Sequence, residues 1–178
     1  MPNDSQRLLD LIERLARLIS AEDRGHGLNP AQRAALAYLA RANVFSRAPS
    51  HVADYLCTTR GTASQTLKSL EQKGLVRRGD TPGDRRSITY TATAEGMALV
   101  SAIDPLDPLS DTQRQRAASA LDALLREMLA RRGYRSFGIC RTCRHHQQND
   151  GGRSCALLNV ALTADAAEEL CHEHVPCG

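Results

Sequence analysis

The fold of this chain is decided by residues 49–78, which read PSHVADYLCTTRGTASQTLKSLEQKGLVRR. The stretch predicts a short helix over 49–56, a break at 58–61 and a second helix over 62–73. Proline suits the first helical position, and glycine, here Gly74, suits the position just past the last turn. Two short helices joined by a tight turn are typical of a helix-turn-helix motif.

The second of these helices is predicted to have two unlike faces. Ala63, Leu67 and Leu70 recur at helical spacing, so we expect them to face the core. The other side then carries short polar and basic side chains, which suit the base edges and phosphates of DNA. The DNA contacts predicted here are Arg60, Thr62, Ser64, Gln65 and Lys68.

After Gly74, two short β-type segments flank Pro82 and Gly83, a pattern that predicts a β-hairpin. Residues 60–86 contain seven Lys or Arg against three Asp or Glu, a larger excess than the net +3 of the whole chain. Positive charge concentrated in this way is expected of one surface that meets DNA, with the hairpin tip in a minor groove. The DNA contacts predicted on the hairpin are Arg77, Arg78, Asp84, Arg85 and Arg86.

Two longer helices are predicted at residues 4–23 and 110–132, each with a stripe of leucines. One small domain rarely needs so much apolar helix surface, so we expect these helices to join two subunits. Shorter helices are predicted over 29–42 and 93–103. With 3% aromatic residues and no tryptophan, the chain is expected to be mainly α with an aliphatic core.

Four segments together resemble a known family. They are ADYL at 53–56, LEQKGLVRR at 70–78, DRRS at 84–87 and TAEG at 93–96. In this order and spacing they resemble the MarR-type winged helix-turn-helix regulators, over roughly residues 5–132.

The resemblance implies a homodimer that is joined through its N- and C-terminal helices. Such a dimer binds double-stranded DNA at a palindrome, with one recognition helix in each half-site. The wing motif of that family, Asp-x-Arg, falls on Asp84 and Arg86, where the acid would orient the arginine towards the minor groove. Many members also bind a small organic effector between their dimerisation and DNA-binding parts.

The C-terminal tail departs from the plain family pattern, because five of the six cysteines fall in the last forty residues. Four of the six histidines, at positions 145, 146, 172 and 174, lie in the same tail. Such a concentration of soft ligands predicts a metal or cluster site. The predicted ligands are Cys140, Cys143, Cys155 and Cys171, with Cys177 and the neighbouring histidines in reserve.

Four thiolates suit either tetrahedral zinc or a [4Fe-4S] cluster. Only Cys140 and Cys143 form a chelating knuckle, and the dispersed remainder favours the larger iron-sulfur cluster. Replacement of one thiolate by His145, His172 or His174 would favour Zn²⁺ instead. We expect a helix between the later cysteines that ends near Leu170. The tail is too small to bury a core of its own, so a bound metal centre is expected to stabilise its fold.

These patterns divide the chain into four parts. Residues 1–28 form an N-terminal dimerisation helix, 29–92 the winged helix-turn-helix, 93–132 the C-terminal dimerisation helices and 133–178 a small cysteine-rich lobe. The expected function is sequence-specific transcription regulation, modulated by an iron-sulfur cluster that senses redox or iron state. The alternative is a structural zinc lobe on a regulator that responds to a small organic effector.

Other expectations concern what the chain is not. The sequence shows no nucleotide-binding glycine loop and no nucleophile with supporting residues, so no enzyme is predicted. It shows neither a signal-type start nor a membrane-spanning run, so a cytoplasmic protein is predicted, in which disulfides are disfavoured. Cys57 is expected to be a small buried side chain, and His26 and His51 ordinary histidines.

Overall fold

The computed structural model describes residues 3–22, 27–81, 84–101, 106–149 and 152–177. The hairpin tip at Pro82 and Gly83 and the side chain of His26 lie outside these ranges. The helices are α1 (Asp4–Glu22), α2 (Pro30–Arg41), α3 (Pro49–Tyr55), α4 (Arg60–Gln72), α5 (Ala94–Ser101), α6 (Asp111–Arg132) and α7 (Ala164–Ala167). The strands are β1 (Val76–Thr81), β2 (Asp84–Ala92), β3 (Gly138–Ile139), β4 (His146–Asn149), β5 (Gly152–Cys155), β6 (Val160–Leu162) and β7 (Leu170–Cys171).

The helix-turn-helix is built from local signals. Asn29 caps α2 by accepting the backbone N–H of Gln32 at 2.9 Å, and the Gln32 side chain accepts the Asn29 N–H in return. Thr59 caps α4 in the same manner by accepting the Thr62 N–H at 3.1 Å. This cap starts the helix at Arg60, two residues before the predicted start. Gly74 ends the segment with a φ of +73°, a conformation that suits glycine.

One aliphatic core holds α2, α3, α4 and the hairpin together. The core is mostly aliphatic, as predicted, and its buried aromatic rings are those of Tyr38 and Tyr90. Strands β1 and β2 pair antiparallel, from Val76 opposite Ala92 to Asp80 opposite Ile88. The largest fully buried side chains are Leu36, Tyr38, Leu39, Val52, Leu67 and Leu70, with the small Ser46 among them.

Helices α1 and α6 present apolar side chains to solvent in the single chain. Ser110 and Gly133 cap α6 at its two ends, yet no residue of this helix is buried. The leucines of α1 are 43–58% exposed. Burial of apolar side chains is the main stabilising term in folding, so both stripes are suited to a further protein surface. The exposed side chains are Leu8, Leu9, Leu11, Leu15 and Leu18 on α1, and Leu121, Leu125 and Met128 on α6.

The C-terminal tail forms two small antiparallel sheets. Strands β3 and β7 pair with Gly138 opposite Cys171, and β4, β5 and β6 form a three-stranded meander. The helix expected between the later cysteines is present as α7, but its expected end near Leu170 is wrong: α7 stops at Ala167, and Leu170 lies in β7. Leu170 adopts an extended conformation because its side chain enters the winged-helix core while its carbonyl accepts the Asn43 N–H at 2.9 Å.

Aromatic side chains fix the tail to the rest of the chain. The Phe137 ring lies edge-on to Tyr38 and Tyr55, with ring centroids 5.8 and 5.2 Å apart. Tyr38 and Tyr55 themselves lie 4.4 Å apart. Aromatic pairs at such distances stabilise beyond their buried area, so the tail packs on α2 and α3.

No helix in the described part of the chain is long and apolar enough to cross a lipid bilayer.

Candidate functional site

Helix α4 presents the polar face that the sequence predicts. Ala63, Leu67 and Leu70 are fully buried on one side. Ser64 is half-buried. The Thr62 hydroxyl lies 2.9 Å from the hydroxyl of the capping residue Thr59, so one of its hydrogen bonds is used within the protein. The fully exposed members of the predicted DNA-contact set on this segment are Arg60, Thr62, Gln65 and Lys68.

The hairpin places the other predicted contacts beside α4. Arg77 and Arg78 are exposed on β1, opposite Thr91 and Tyr90 of β2. Neighbouring residues on a strand point to opposite faces, so these two arginines leave the hairpin on different sides. The backbone of Asp84, Arg85 and Arg86 lies in β2, and their side chains are outside the described part of the structure.

The tail brings the four predicted cysteine ligands into one region. Cys140, Cys143 and Cys171 are buried, and Cys155 is half-buried. Cys140 directly follows β3, and its partner strand β7 contains Cys171. Cys155 pairs with His146 across the β4–β5 ladder. All described cysteines are free thiols.

The pKa of Cys140 responds to the other three cysteines. Burial raises the pKa of its thiol to about 11, and the charge of Cys171 is the largest electrostatic addition. Further rises come from the charges of Cys155, Cys143 and Glu169. The other three cysteines therefore all lie within electrostatic reach of Cys140.

Polar groups that favour thiolates also face the cluster. The Val175 N–H donates to the Cys143 sulfur at 3.4 Å. Burial raises the pKa of Cys171, whereas hydrogen bonds from the Asn43 and Ser46 side chains and from the Glu173 backbone lower it. Hydrogen bonds to sulfur are one means by which a protein tunes a metal or cluster site.

The four thiols do not form a preformed coordination site for a single metal ion. Among the described residues, no three His, Cys, Asp or Glu side chains are grouped so that they could hold a metal ion. Charges act on one another over longer distances than the bonds of a metal ion to its ligands. The cysteines can therefore influence the pKa of Cys140 without being close enough to share an ion. Binding of a single ion by three of them would require their side chains to move closer together.

The histidines divide into different roles. The His146 ring nitrogen Nδ1 lies 3.8 Å from the Cys140 sulfur, a neighbour that the sequence did not single out. His174 is buried against Gly138, and its Nε2 lies 3.0 Å from the Thr142 hydroxyl. His172 Nε2 lies 2.9 Å from a Glu173 carboxylate oxygen. His172 Nε2 and His174 Nε2 therefore have polar partners, whereas His174 Nδ1 is buried without a hydrogen-bond partner.

The two remaining cysteines are exposed. Cys177 lies beside the knuckle, because its backbone N–H is 3.4 Å from the Thr142 carbonyl and its neighbour Pro176 forms a bridge with Cys143, so it stays in reserve as a ligand. The expectation that Cys57 is buried is wrong. Cys57 is exposed and has a φ of +50°, because it forms the turn between α3 and α4.

Residues 26–87, which span α2 to the hairpin, match the model of the MarR family. Over these residues the chain is similar to the MarR-type winged helix. The transcriptional regulator PecS of Dickeya dadantii strain 3937 is 29% identical over 101 residues. That alignment covers 52% of this chain and 61% of PecS, so the chain spans less than two thirds of this relative. Proteins of this family are transcription regulators and not enzymes.

Solved structures share the fold. A DNA complex of MepR from S. aureus superposes with a TM-score of 0.54 at 20% identity, over 70% of this chain and 96% of MepR. CouR from Rhodococcus jostii RHA1, bound to p-coumaroyl-CoA, superposes with a TM-score of 0.56 at 20% identity, over 68% and 92% of the two chains. The family model ends before the first tail cysteine.

The MarR-type winged helix and the tail share a polar junction that sequence patterns did not reveal. The His51 ring of α3 stacks on the His172 ring, with the ring centroids 3.5 Å apart. The Ser46 hydroxyl accepts the His172 N–H at 3.0 Å. These pairs are far apart in sequence, so only the folded chain brings them together.

A cleft of about 310 Å³ separates α6 from the tail and from the MarR-type winged helix. Its walls combine aliphatic, aromatic and basic side chains, a mixture typical of sites for small organic molecules. The lining includes Arg41, Tyr55, Leu125, Leu129, Phe137 and Leu170.

Proposed function

We propose that this protein is a homodimeric, sequence-specific DNA-binding transcription regulator of the cytoplasm. The observation that carries the proposal is the exposed polar and basic face of α4, next to a hairpin with exposed arginines. A helix of this kind fits the major groove, and a basic hairpin fits the neighbouring backbone or minor groove. PecS and the DNA complex of MepR support the same assignment.

Two lysines of the same segment provide a matched test. The Lys68 side chain is exposed on the polar face, whereas the Lys73 ammonium donates to the Gly27 carbonyl and lies 3.4 Å from the Gln32 side chain. Both Lys68→Ala and Lys73→Ala remove one positive charge. We expect only Lys68→Ala to weaken binding to a palindromic fragment selected from random DNA, and to lower the salt slope of log K by about 1.

Fluorescence anisotropy at several salt concentrations measures both quantities, with thermal unfolding as the check on folding. Equal losses in the two variants would show that general positive charge, and not the α4 face, governs binding. A wild-type protein that selects no sequence above random DNA would contradict the proposal.

We further infer that Cys140, Cys143, Cys155 and Cys171 hold an iron-sulfur cluster. Supporting observations are four free thiols within electrostatic reach, three of them buried, and the N–H donors on their sulfurs. Only Cys140 and Cys143 form a knuckle in the sequence, and the dispersed Cys155 and Cys171 suit ligands arranged around a larger object. When bound, such a cluster would supply sensitivity to redox or iron state.

Analysis of the metal in matched cysteine variants tests this inference. Protein is purified anaerobically and assayed for iron, sulfide and zinc, with visible absorption. We expect wild type and Cys57→Ser to contain iron and sulfide in equal amounts, and Cys140→Ser to lose most of both. Cys57 is the control because it is exposed in the helix-turn-helix turn.

Stoichiometric zinc without sulfide would contradict the cluster and favour the second candidate. In that version the cysteines hold structural Zn²⁺ and a small organic effector controls DNA binding. The cleft of about 310 Å³ beside α6 is the observation that favours it, and CouR bound to p-coumaroyl-CoA is the parallel.

A further inference from the structure

Strand β7 contacts both the cysteine-rich tail and the winged helix. On one side, Cys171 pairs with Gly138 of β3 and faces the cysteine cluster. On the other, Leu170 forms a parallel bridge with Ala42, and its carbonyl accepts the Asn43 N–H at 2.9 Å. The Leu170 side chain is 8% exposed and packs in the winged-helix core. A change in the cluster region that moves β7 therefore acts directly on the end of α2.

Ser46 is the centre of this junction. It lies in a single 3₁₀ turn, Val44–Ser46, between α2 and α3, and is fully buried. Its hydroxyl donates to the Asn43 side-chain oxygen at 2.6 Å and accepts the His172 N–H at 3.0 Å. The Asn43 and Ser46 side chains also lie close enough to Cys171 to lower the pKa of its thiol. A cysteine of the cluster thus lies beside side chains of the winged helix.

The junction continues to α3 and to the hairpin. His51 of α3 stacks on His172, with the ring planes at 19°. Arg47 pairs with Glu169 of the tail at 3.5 Å, and its carbonyl accepts the N–H of Tyr90 in β2 at 3.0 Å. Arg47 therefore contacts the tail with its side chain and the hairpin with its backbone.

We propose that β7, held by Ser46, couples the state of the cysteine cluster to the placement of α3 and the hairpin, and so to DNA affinity. This rests on the proposed function and names the route by which the tail acts. Because α3 and α4 share one core through Val52, Ala63 and Leu67, displacement of α3 shifts the recognition helix. The route runs within one chain and is independent of the spacing between the two subunits.

The physical requirement is a different interaction free energy in the two states of the cluster. A centre bound by Cys171 and the other three cysteines ties β7 to the rest of the tail, and so fixes the strand that contacts Asn43 and Ser46. Loaded protein should therefore hold β7, the 3₁₀ turn and α3 together more firmly than stripped protein.

Ser46→Ala tests the coupling, with Ser154→Ala of β5 as the matched control inside the tail. The loaded form is wild type with its iron and sulfide, or with Zn²⁺ if that is what it retains, and the stripped form is made with a chelator. Hydrogen exchange of the amides in residues 49–55 is compared between the forms, together with the ratio of their DNA affinities. We expect loading to slow exchange in α3 and to change affinity at least about fivefold in wild type and Ser154→Ala.

In Ser46→Ala the affinity ratio should fall towards one and the exchange difference should vanish, with metal content unchanged. If Ser46→Ala does not fold, Glu169→Gln replaces it as a milder change at the Arg47 contact. This variant should reduce both effects in part. An unchanged ratio in a loaded Ser46→Ala protein would overturn the coupling and leave the cluster intact. A wild type that retains neither iron nor zinc would overturn the cluster itself, and the coupling with it.

Discussion

At the scale of single residues, Gly96 shows where the fold tolerates no side chain. A Cβ on Gly96 would lie 2.2 Å from the Leu75 carbonyl oxygen and 3.0 Å from the Leu36 side chain. The backbone oxygen cannot rotate away as a side chain would, so α5 must move from the start of the hairpin. Gly96→Ala should therefore lower the free energy of unfolding by about 1–3 kcal/mol, although alanine is the better helix former.

Gly61→Ala is the matched control, because its new Cβ meets only the Thr59 hydroxyl at 3.8 Å. In α4 this change should be neutral or stabilise by up to about 1 kcal/mol. Urea unfolding followed by circular dichroism compares the two variants with wild type. A Gly96→Ala midpoint equal to that of Gly61→Ala would show that α5 relaxes without cost.

The sequence indicated which region contains the cysteine cluster, but it did not predict the exposure or the neighbours of individual cysteines. Cys143, Cys155 and Cys171 all lie within electrostatic reach of Cys140, and the ligand set and the bound group stay predictions. The exposure of Cys57 was missed because it depends on a turn with positive φ. The approach of His146 to Cys140 was missed because it depends on a strand pairing that no local signal encodes.

At the scale of elements, local capping signals explain why the helices were predictable. The capping box of Asn29 and Gln32, and the similar one of Ser110 and Gln113, fix two helix starts within the sequence itself. The tail strands contain two to four residues and pair across long separations, such as Gly138 with Cys171. Strands so short carry no readable alternation, which is why a helix was expected where β7 lies.

The hairpin shows a limit of charge counting. Arg77 and Arg78 were grouped in sequence as two DNA contacts, but the pleat separates them. Arg78 shares its face with the buried residues Val76 and Tyr90, whereas Arg77 lies on the other face. Two adjacent arginines on a strand therefore do not form one continuous track for phosphates.

At the scale of the whole molecule, the tail and the helix-turn-helix form one packed body. The described contacts join the tail to α2, α3 and the 3₁₀ turn through Leu170, His172 and Phe137. Tail residues also line a cleft together with α6. Local patterns could not predict these contacts, because Phe137 and Leu170 pack with core residues that are far away in sequence.

The leucine stripe of α1 gives the prediction on assembly. Leu8, Leu11, Leu15 and Leu18 recur at spacings of three and four residues, which places them along one side of the helix. All four are 43–56% exposed in the single chain. A homodimer would cover them, and it would also present two copies of α4 to half-sites about 34 Å apart.

Leu11→Glu with Leu15→Glu should therefore convert the protein to monomers of 19.4 kDa and weaken operator binding at least about tenfold. Leu157→Glu is the control, because Leu157 is 48% exposed, close to the 50% of Leu11 and Leu15, but lies in the tail. Sedimentation velocity measures the mass, and anisotropy on full and half operators measures binding. Because the stripe is exposed in the single chain, its loss should leave binding to a half operator unchanged. A double variant that remains dimeric would place the subunit contact elsewhere on the molecule.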